Sequence, residues 1–167
     1  MLYQQSFFEK TAKKYPEAIA IDDHGKQFTY DYLEKFSNKI ANFLSNLGCS
    51  ANDRICILLE KSFLQYSSVL GILKSGGCWV PLSESFPEER MIYLVNNLQP
   101  KIIITQKKNL KLVDSVSKKN KISLLCLDSS EVPNGVHSIK EVTTCSEKKP
   151  DISSIICPAD LAYIIFT

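Results

Sequence analysis

Leu73-Lys74-Ser75-Gly76-Gly77-Cys78-Trp79-Val80-Pro81-Leu82 is the stretch whose reading decides the fold. The Gly-Gly pair stops one helix and opens a strand, because glycine takes up the left-handed backbone that such a stop requires. Upstream, Ile55-Cys56-Ile57-Leu58-Leu59 is a continuous apolar run, the pattern of a strand buried on both faces. Ser62-Phe63-Leu64-Gln65 has capping-box spacing, with a hydroxyl and a glutamine placed to satisfy each other's orphan backbone donors. Leu64, Val69, Leu70 and Leu73 give the helix that follows an apolar stripe. Cys78 to Leu82 then closes a strand–helix–strand unit, a right-handed crossover between parallel strands. Downstream, Pro87 with Glu88 and Glu89 opens a helix faced by Met91, Leu94, Val95 and Leu98, and Ile102-Ile103-Ile104 is the next buried strand.

The flanks extend this alternation. A short amphipathic helix over 2–14 is stopped by Pro16, and two short strands flank Asp23-His24-Gly25 as a hairpin. His24 at that tip reads as polar loop. Asp31 and Glu34 make a capping-box variant ahead of Leu33, Phe36, Ile40, Phe43, Leu44 and Leu47, and Gly48 ends that helix. Asn38, Lys39 and Ser45 fall off the apolar stripe and read as a solvated face. In 107–121 the lysines lie mostly off the stripe of Leu110, Val113 and Val116, so they too read as a solvated face. Ser123 to Asp128 is another strand. Residues 129–157 read as a loop-rich connector with at most one short helix or strand, in which His137 has no recognisable partner. Leu161-Ala162-Tyr163-Ile164-Ile165-Phe166 is a last apolar strand.

The totals narrow the function. The 167 residues suit one domain, and 44% hydrophobic with 23% charged residues is a globular composition. The net charge of +2 argues for nothing, but only Arg54 and Arg90 among the 20 basic residues are arginines, which argues against a nucleic-acid partner. The six cysteines form no C-x-x-C pair and read as reduced thiols of a cytoplasmic protein. The first residues lack a basic leader and a long apolar run, so neither a signal peptide nor a membrane span is expected. No G-x-G-x-x-G follows any strand, which disfavours a flavin or dinucleotide binder.

The expected fold is therefore α/β, a mostly parallel sheet with helices on both faces. Its expected core includes Phe36, Ile40, Leu44, Ile57, Leu58, Leu70, Val80, Leu94, Ile103, Leu125 and Ile164.

The opening stretch is similar to the second core motif of adenylate-forming (AMP-binding) enzymes, the superfamily of acyl-CoA synthetases and luciferases. That motif commonly reads Leu-Lys-Ala-Gly-Gly-Ala-Tyr-Val-Pro-Leu-Asp, and the resemblance is closest to amino-acid adenylation domains of nonribosomal peptide synthetases. Phe28-Thr29-Tyr30-Asp31-Tyr32-Leu33 is similar to the first core motif. Pro87-Glu88-Glu89-Arg90, Gln99-Pro100-Lys101 and Ile102-Ile103-Ile104-Thr105-Gln106 extend the likeness. Ala162-Tyr163-Ile164-Ile165-Phe166-Thr167 resembles the strand that leads into the family's phosphate loop, with Thr167 matching the first residue of that loop. Trp79 stands where the family has tyrosine, and Ser83 where it has aspartate.

The resemblance implies that residues 1–167 form the N-terminal subdomain of the large domain of an adenylation enzyme, ending at the start of the phosphate loop. The intact ligase would use ATP and Mg2+ to convert a carboxylic acid, an amino acid by the closest likeness, to an acyl-adenylate. It would then pass the acyl group to a thiol such as a carrier protein's phosphopantetheine. On this reading the 167 residues alone are inactive scaffold, with no catalytic or metal-binding residue and Thr167 as the expected cofactor-binding position. Their partners are the remainder of the adenylation domain and a carrier protein, with no nucleic acid and no membrane. The alternative, suggested by Trp79 and Ser83, is a non-catalytic α/β remnant or partner-docking module. An apolar C-terminal strand also predicts self-association through an exposed sheet edge.

Overall fold

The computed structural model of the protein describes residues 4–151, 157 and 159–166. In chain order the elements are α1 (Gln4–Lys14), β1 (Ile19–Asp23), β2 (Lys26–Thr29), α2 (Tyr30–Asn46), β3 (Arg54–Leu58), α3 (Phe63–Lys74) and β4 (Cys78–Pro81). There follow α4 (Glu88–Leu98), β5 (Ile102–Thr105), a 3-10 turn at Lys107–Asn109, α5 (Leu110–Asn120), β6 (Ser123–Cys126), β7 (Val136–Ser138) and α6 (Ile139–Thr143). β1 and β2 form the antiparallel hairpin. The other five strands form one parallel sheet in the order β4-β3-β5-β6-β7.

Strict alternation along the central strands divides the core between two faces. Ile55, Ile57, Ile102, Ile104 and Leu125 meet Ile40, Leu44 and Ile72 of α2 and α3 on one side. Cys56, Leu58, Ile103, Leu124 and Cys126 meet Met91, Leu94, Val95, Val113 and Val116 of α4 and α5 on the other. Covering on both faces is why these strands read as unbroken apolar runs. Of the expected core, Leu70 and Ile164 are only half-buried and the rest are buried.

Several local expectations are corrected. Thr29, not Asp31, caps α2, its hydroxyl accepting the Tyr32 N–H. Asn38 is buried and Lys39 reaches the Thr143 carbonyl, so this side of α2 is covered. Ser62 does cap α3, but Gln65 donates to the Leu59 carbonyl instead of returning to Ser62. Of the expected stripe of α3, Leu73 is buried while Leu64, Val69 and Leu70 are half-buried, and the buried side also carries Ser67, Ser68, Gly71 and Lys74 beside Phe63 and Ile72. A Cβ at Gly71 would lie 2.5 Å from Ile40 Cγ2 and 3.0 Å from the Ser37 carbonyl, so α3 packs on α2 at glycine distance.

The connector holds both a strand and a helix, β7 and α6, and then runs back over α2. The Asn42 side-chain amide donates to the Ser146 and Lys148 carbonyls at 2.9 and 2.8 Å, and Asn38 donates to the Glu147 carbonyl at 2.9 Å. His137 does have a partner: its Nδ1 lies 2.7 Å from Glu141 Oε2, and its ring stands edge-on to Phe43. The final apolar run forms a single parallel bridge, Trp79 to Tyr163, instead of a full strand.

Candidate functional site: the Gly-Gly turn and the segment laid against β4

The site grows out of the opening stretch. Gly76 has a φ of 84°, a left-handed conformation at the end of α3, and its N–H and that of Gly77 return to the Leu73 and Ile72 carbonyls. Gly77 answers to space instead. A Cβ there would lie 3.0 Å from Ile55 Cδ1 and 3.1 Å from Ile72 Cγ2. The two glycines are thus required for different reasons, one for dihedral angle and one for close approach. The turn feeds Cys78, whose N–H donates to the Asp53 carbonyl at 2.8 Å, directly into β4.

Lys74, two residues before the pair, is fully buried. Its ammonium donates to Glu34 Oε2 at 2.7 Å, Ser37 Oγ at 2.8 Å and Asn38 Oδ1 at 2.8 Å, and lies 5.6 Å over the Phe8 ring. Burial pulls its pKa below the ordinary lysine value, and the Glu34 carboxylate opposes that pull. Each ammonium proton has an acceptor, so this lysine is held as a strut among α1, α2 and α3.

Cys157 and residues 159–166 are brought to the outer side of β4. Asp160 Oδ2 accepts the Cys157 N–H at 2.6 Å, and the Asp160 N–H returns to the Cys157 carbonyl at 3.1 Å. That backbone donor, followed by the Asn52 amide, holds the Asp160 carboxyl below the usual range. Trp79 N–H then donates to the Ala162 carbonyl and Ile164 N–H to the Trp79 carbonyl, both at 3.1 Å. The Trp79 and Tyr163 rings lie 5.6 Å apart at 37°. Ile164 and Phe166 pack into the α4/α5 side of the core, whereas Leu161, Tyr163 and Ile165 are 48%, 50% and 59% exposed. Thr167, the expected first residue of a phosphate loop, lies outside the described residues.

The carboxyl ends of the parallel strands are polar and already paired. Lys108 bridges Glu60 and Glu84, and Asn109 donates to Glu84 Oε1 at 2.8 Å. Asn109 and then Lys108 lower the Glu84 pKa, while Glu60 and Glu84 raise that of Lys108. Between α1, β1, α2 and α3 lies an open groove of about 490 Å³, walled by Phe8, Ile21, Leu33 and Val69. Asp22 on its lining is occupied by the Gly25 N–H and the Gln27 amide. Among the described residues no group of three or more His, Cys, Asp or Glu could hold a metal ion. His24 points to solvent at the hairpin tip, 3.9 Å from Asp23. Asn52 and Trp79 hold the backbone of residues 160–164, the segment that leads to Thr167. The sequence reading missed Asn52 and Asn38, which join the Gly-Gly turn and the buried lysine to the later chain. An asparagine in Ser50-Ala51-Asn52-Asp53 carried only a turn signal.

Comparison with known proteins gives a consistent picture. The family model described as AMP-binding enzyme matches residues 8–167. Tyrocidine synthase 3 of Brevibacillus parabrevis is 32% identical over 165 residues, covering 98% of this chain and 2% of that protein. Tyrocidine synthase 1 of the same organism is 29% identical over 163 residues, covering 96% of this chain and 13% of that protein. A crystal structure of a nonribosomal peptide synthetase superposes with a TM-score of 0.76 at 26% identity, covering 99% of this chain and 16% of that one. Coronafacic acid ligase from Pectobacterium brasiliense shares the fold, with a TM-score of 0.88 at 19% identity over 99% of this chain and 33% of that one. The chain thus spans a small part of the relatives it matches.

Proposed function

The chain belongs to the AMP-binding enzyme family, and from that premise we propose that it is the N-terminal scaffold of an ATP-dependent ligase. The ligase activates a carboxylic acid, in the first place an amino acid, as an acyl-adenylate with release of pyrophosphate. It then transfers the acyl group to a thiol, such as a carrier protein's phosphopantetheine. The observation that carries this reading is the placement of residues 161–166 beside β4, under the control of the Gly-Gly turn. Thr167 follows directly, and we assign it as the first residue of the phosphate loop.

The role of the described residues is to bind no substrate and to hold the loop's point of departure. Pre-setting backbone donors where phosphate charge develops is a large part of such catalysis, since the donors need not reorganise during reaction. Among the described residues no group of three or more His, Cys, Asp or Glu could hold a metal ion, and the Mg2+ that accompanies ATP in the intact ligase would be held by later residues. The two departures from the family's pattern keep local geometry. The Trp79 ring lies 5.6 Å from that of Tyr163, tilted by 37°, and Ser83 Oγ accepts the Ser85 N–H at 3.2 Å, the small turn that an aspartate also makes. Both observations favour the ligase scaffold over a non-catalytic remnant or docking module.

No helix among the described residues is long and apolar enough to cross a membrane. The free cysteines support a cytoplasmic location. The exposed row of Leu161, Tyr163 and Ile165 supports the remainder of the adenylation domain as the partner, with self-association of the chain when that remainder is missing.

The test is ATP–pyrophosphate exchange across a panel of amino and other carboxylic acids. Exchange by the whole protein that carries this chain, with none from the 167 residues alone, is expected. No exchange with any acid, or exchange by the 167 residues alone, overturns the reading. Sedimentation of the 167-residue chain should show association, and a monomer at high concentration removes the exposed-edge proposal.

A further inference from the structure

Asn52 has a φ of 66°, in the left-handed region where glycine is cheapest and asparagine is tolerated. The turn alone would be satisfied by glycine. What asparagine adds is a side chain, and both of its polar atoms are used. Nδ2 donates to Asp160 Oδ1 at 2.8 Å, and Oδ1 accepts the Leu161 N–H at 2.7 Å. The Asn52 main-chain N–H donates to the Gly76 carbonyl at 3.2 Å. One residue therefore ties the Gly-Gly turn to the chain that approaches β4 more than a hundred positions later.

We propose that Asn52 is a positioning residue, whose paired hydrogen bonds to Asp160 and Leu161 fix the register of residues 161–166 against β4. The geometry explains why such a clasp matters. Residues 161–166 are held to β4 by one parallel bridge, with hydrogen bonds from Trp79 N–H to Ala162 and from Ile164 N–H to Trp79. A slip of one residue would turn Ile164 and Phe166 out of the core and Tyr163 and Ile165 into it. The hydrogen bond to the Leu161 N–H, immediately before the bridge, selects one register. Under the proposed function, which this inference rests on, that register sets where the phosphate loop begins, and a displacement of about 1 Å at such a point costs about a hundredfold in rate.

The test uses three variants. Asn52→Gly keeps the left-handed turn and removes the clasp. Asn52→Asp keeps an acceptor for the Leu161 N–H but faces Asp160 with a second carboxylate. The exchanged pair Asn52→Asp with Asp160→Asn restores one donor and one acceptor in reversed places. In the 167-residue chain, amide hydrogen exchange over 157–166 should speed up about tenfold or more in both single variants and return toward the wild-type rate in the exchanged pair, one hydrogen-bond's worth of protection. In the whole protein, the single variants should lower kcat for ATP–pyrophosphate exchange at least tenfold with a smaller change in KM for the acid, and the exchanged pair should recover it. Unchanged amide exchange in Asn52→Gly, or no recovery in the exchanged pair, overturns the proposal. Faster amide exchange in the single variants with full kcat overturns the positioning role. A wild-type protein without any ATP–pyrophosphate exchange instead sinks the ligase reading, and with it the phosphate-loop role, even where the clasp governs the amides.

Discussion

The Lys74 ammonium and the Glu34 carboxylate lie 2.7 Å apart, joining α3 to α2 where the lysine is fully buried and the glutamate keeps an edge in solvent. A buried charge with three acceptors is costly to leave half-made, because each abandoned partner loses its water without gaining a bond. Lys74→Ala should therefore lower unfolding free energy by about 3 kcal/mol, the low end for breaking such a pair since Glu34 can rehydrate. Lys74→Met keeps the stem's volume and should cost less. Urea titration of both variants decides this, and an alanine variant as stable as wild type would remove the strut.

The glycines of α3 and its stop should rank by available space. Gly71→Ala places a methyl 2.5 Å from Ile40 and should cost about 3 kcal/mol of stability. Gly77→Ala meets Ile55 and Ile72 at 3.0 and 3.1 Å and should cost about 1 kcal/mol. Thermal melts of the two variants test the order as well as the size.

The thiols carry a pH dependence. Burial pushes Cys49 up to about 11, Cys56 to about 12 and Cys126 to about 11 from an ordinary value of 9.0. The folded chain therefore keeps these protons over a range where the unfolded chain releases them. Their contribution is complete below about pH 9 and is lost as pH rises from there toward 11 and 12. Urea midpoints should fall over that interval, and less steeply in Cys49→Ala and Cys126→Ala. Iodoacetamide at neutral pH should label exposed Cys157 first and leave Cys56 untouched.

Asn42 should govern the return strap. Asn42→Ala removes the donors to the Ser146 and Lys148 carbonyls and should cost about 1 kcal/mol. Limited proteolysis should then cut within 143–150 well before the parallel sheet is touched. A cleavage pattern identical to wild type would show that the strap is held by other contacts.

The sheet was legible because its strands carry continuous apolar runs, a signal that survives without knowledge of tertiary partners. Gly76-Gly77 was legible for a similar reason, since a local rule governs a helix stop. Asn38 and Lys39 were misread because helical periodicity sorts side chains by polarity, and here a polar face is covered by a strap of chain that arrives from residues 143–147. Leu64 and Leu70 differ in the opposite sense, packing against the core while only half-buried. The tightest contact of α3 is made through Gly71, a residue with no hydrophobic signal to give. His137 acquired its partner from α6, a helix too short to leave a periodic trace. The site is legible only by resemblance, because Asn52 and Asp160 meet through folding across most of the chain.

The single bridge between Trp79 and Tyr163 also has a meaning in time. On the ribosome, β4 is made and can pair with β3 while the residues that will cover its other side are still to be translated. Through that interval β4 is an open edge on a nascent chain, available to a neighbouring nascent chain or to a chaperone. The same delay makes the strip from Leu161 to Phe166 a late arrival that must find a prepared groove, so the order of synthesis, and not only the finished packing, favours building the Gly-Gly turn first.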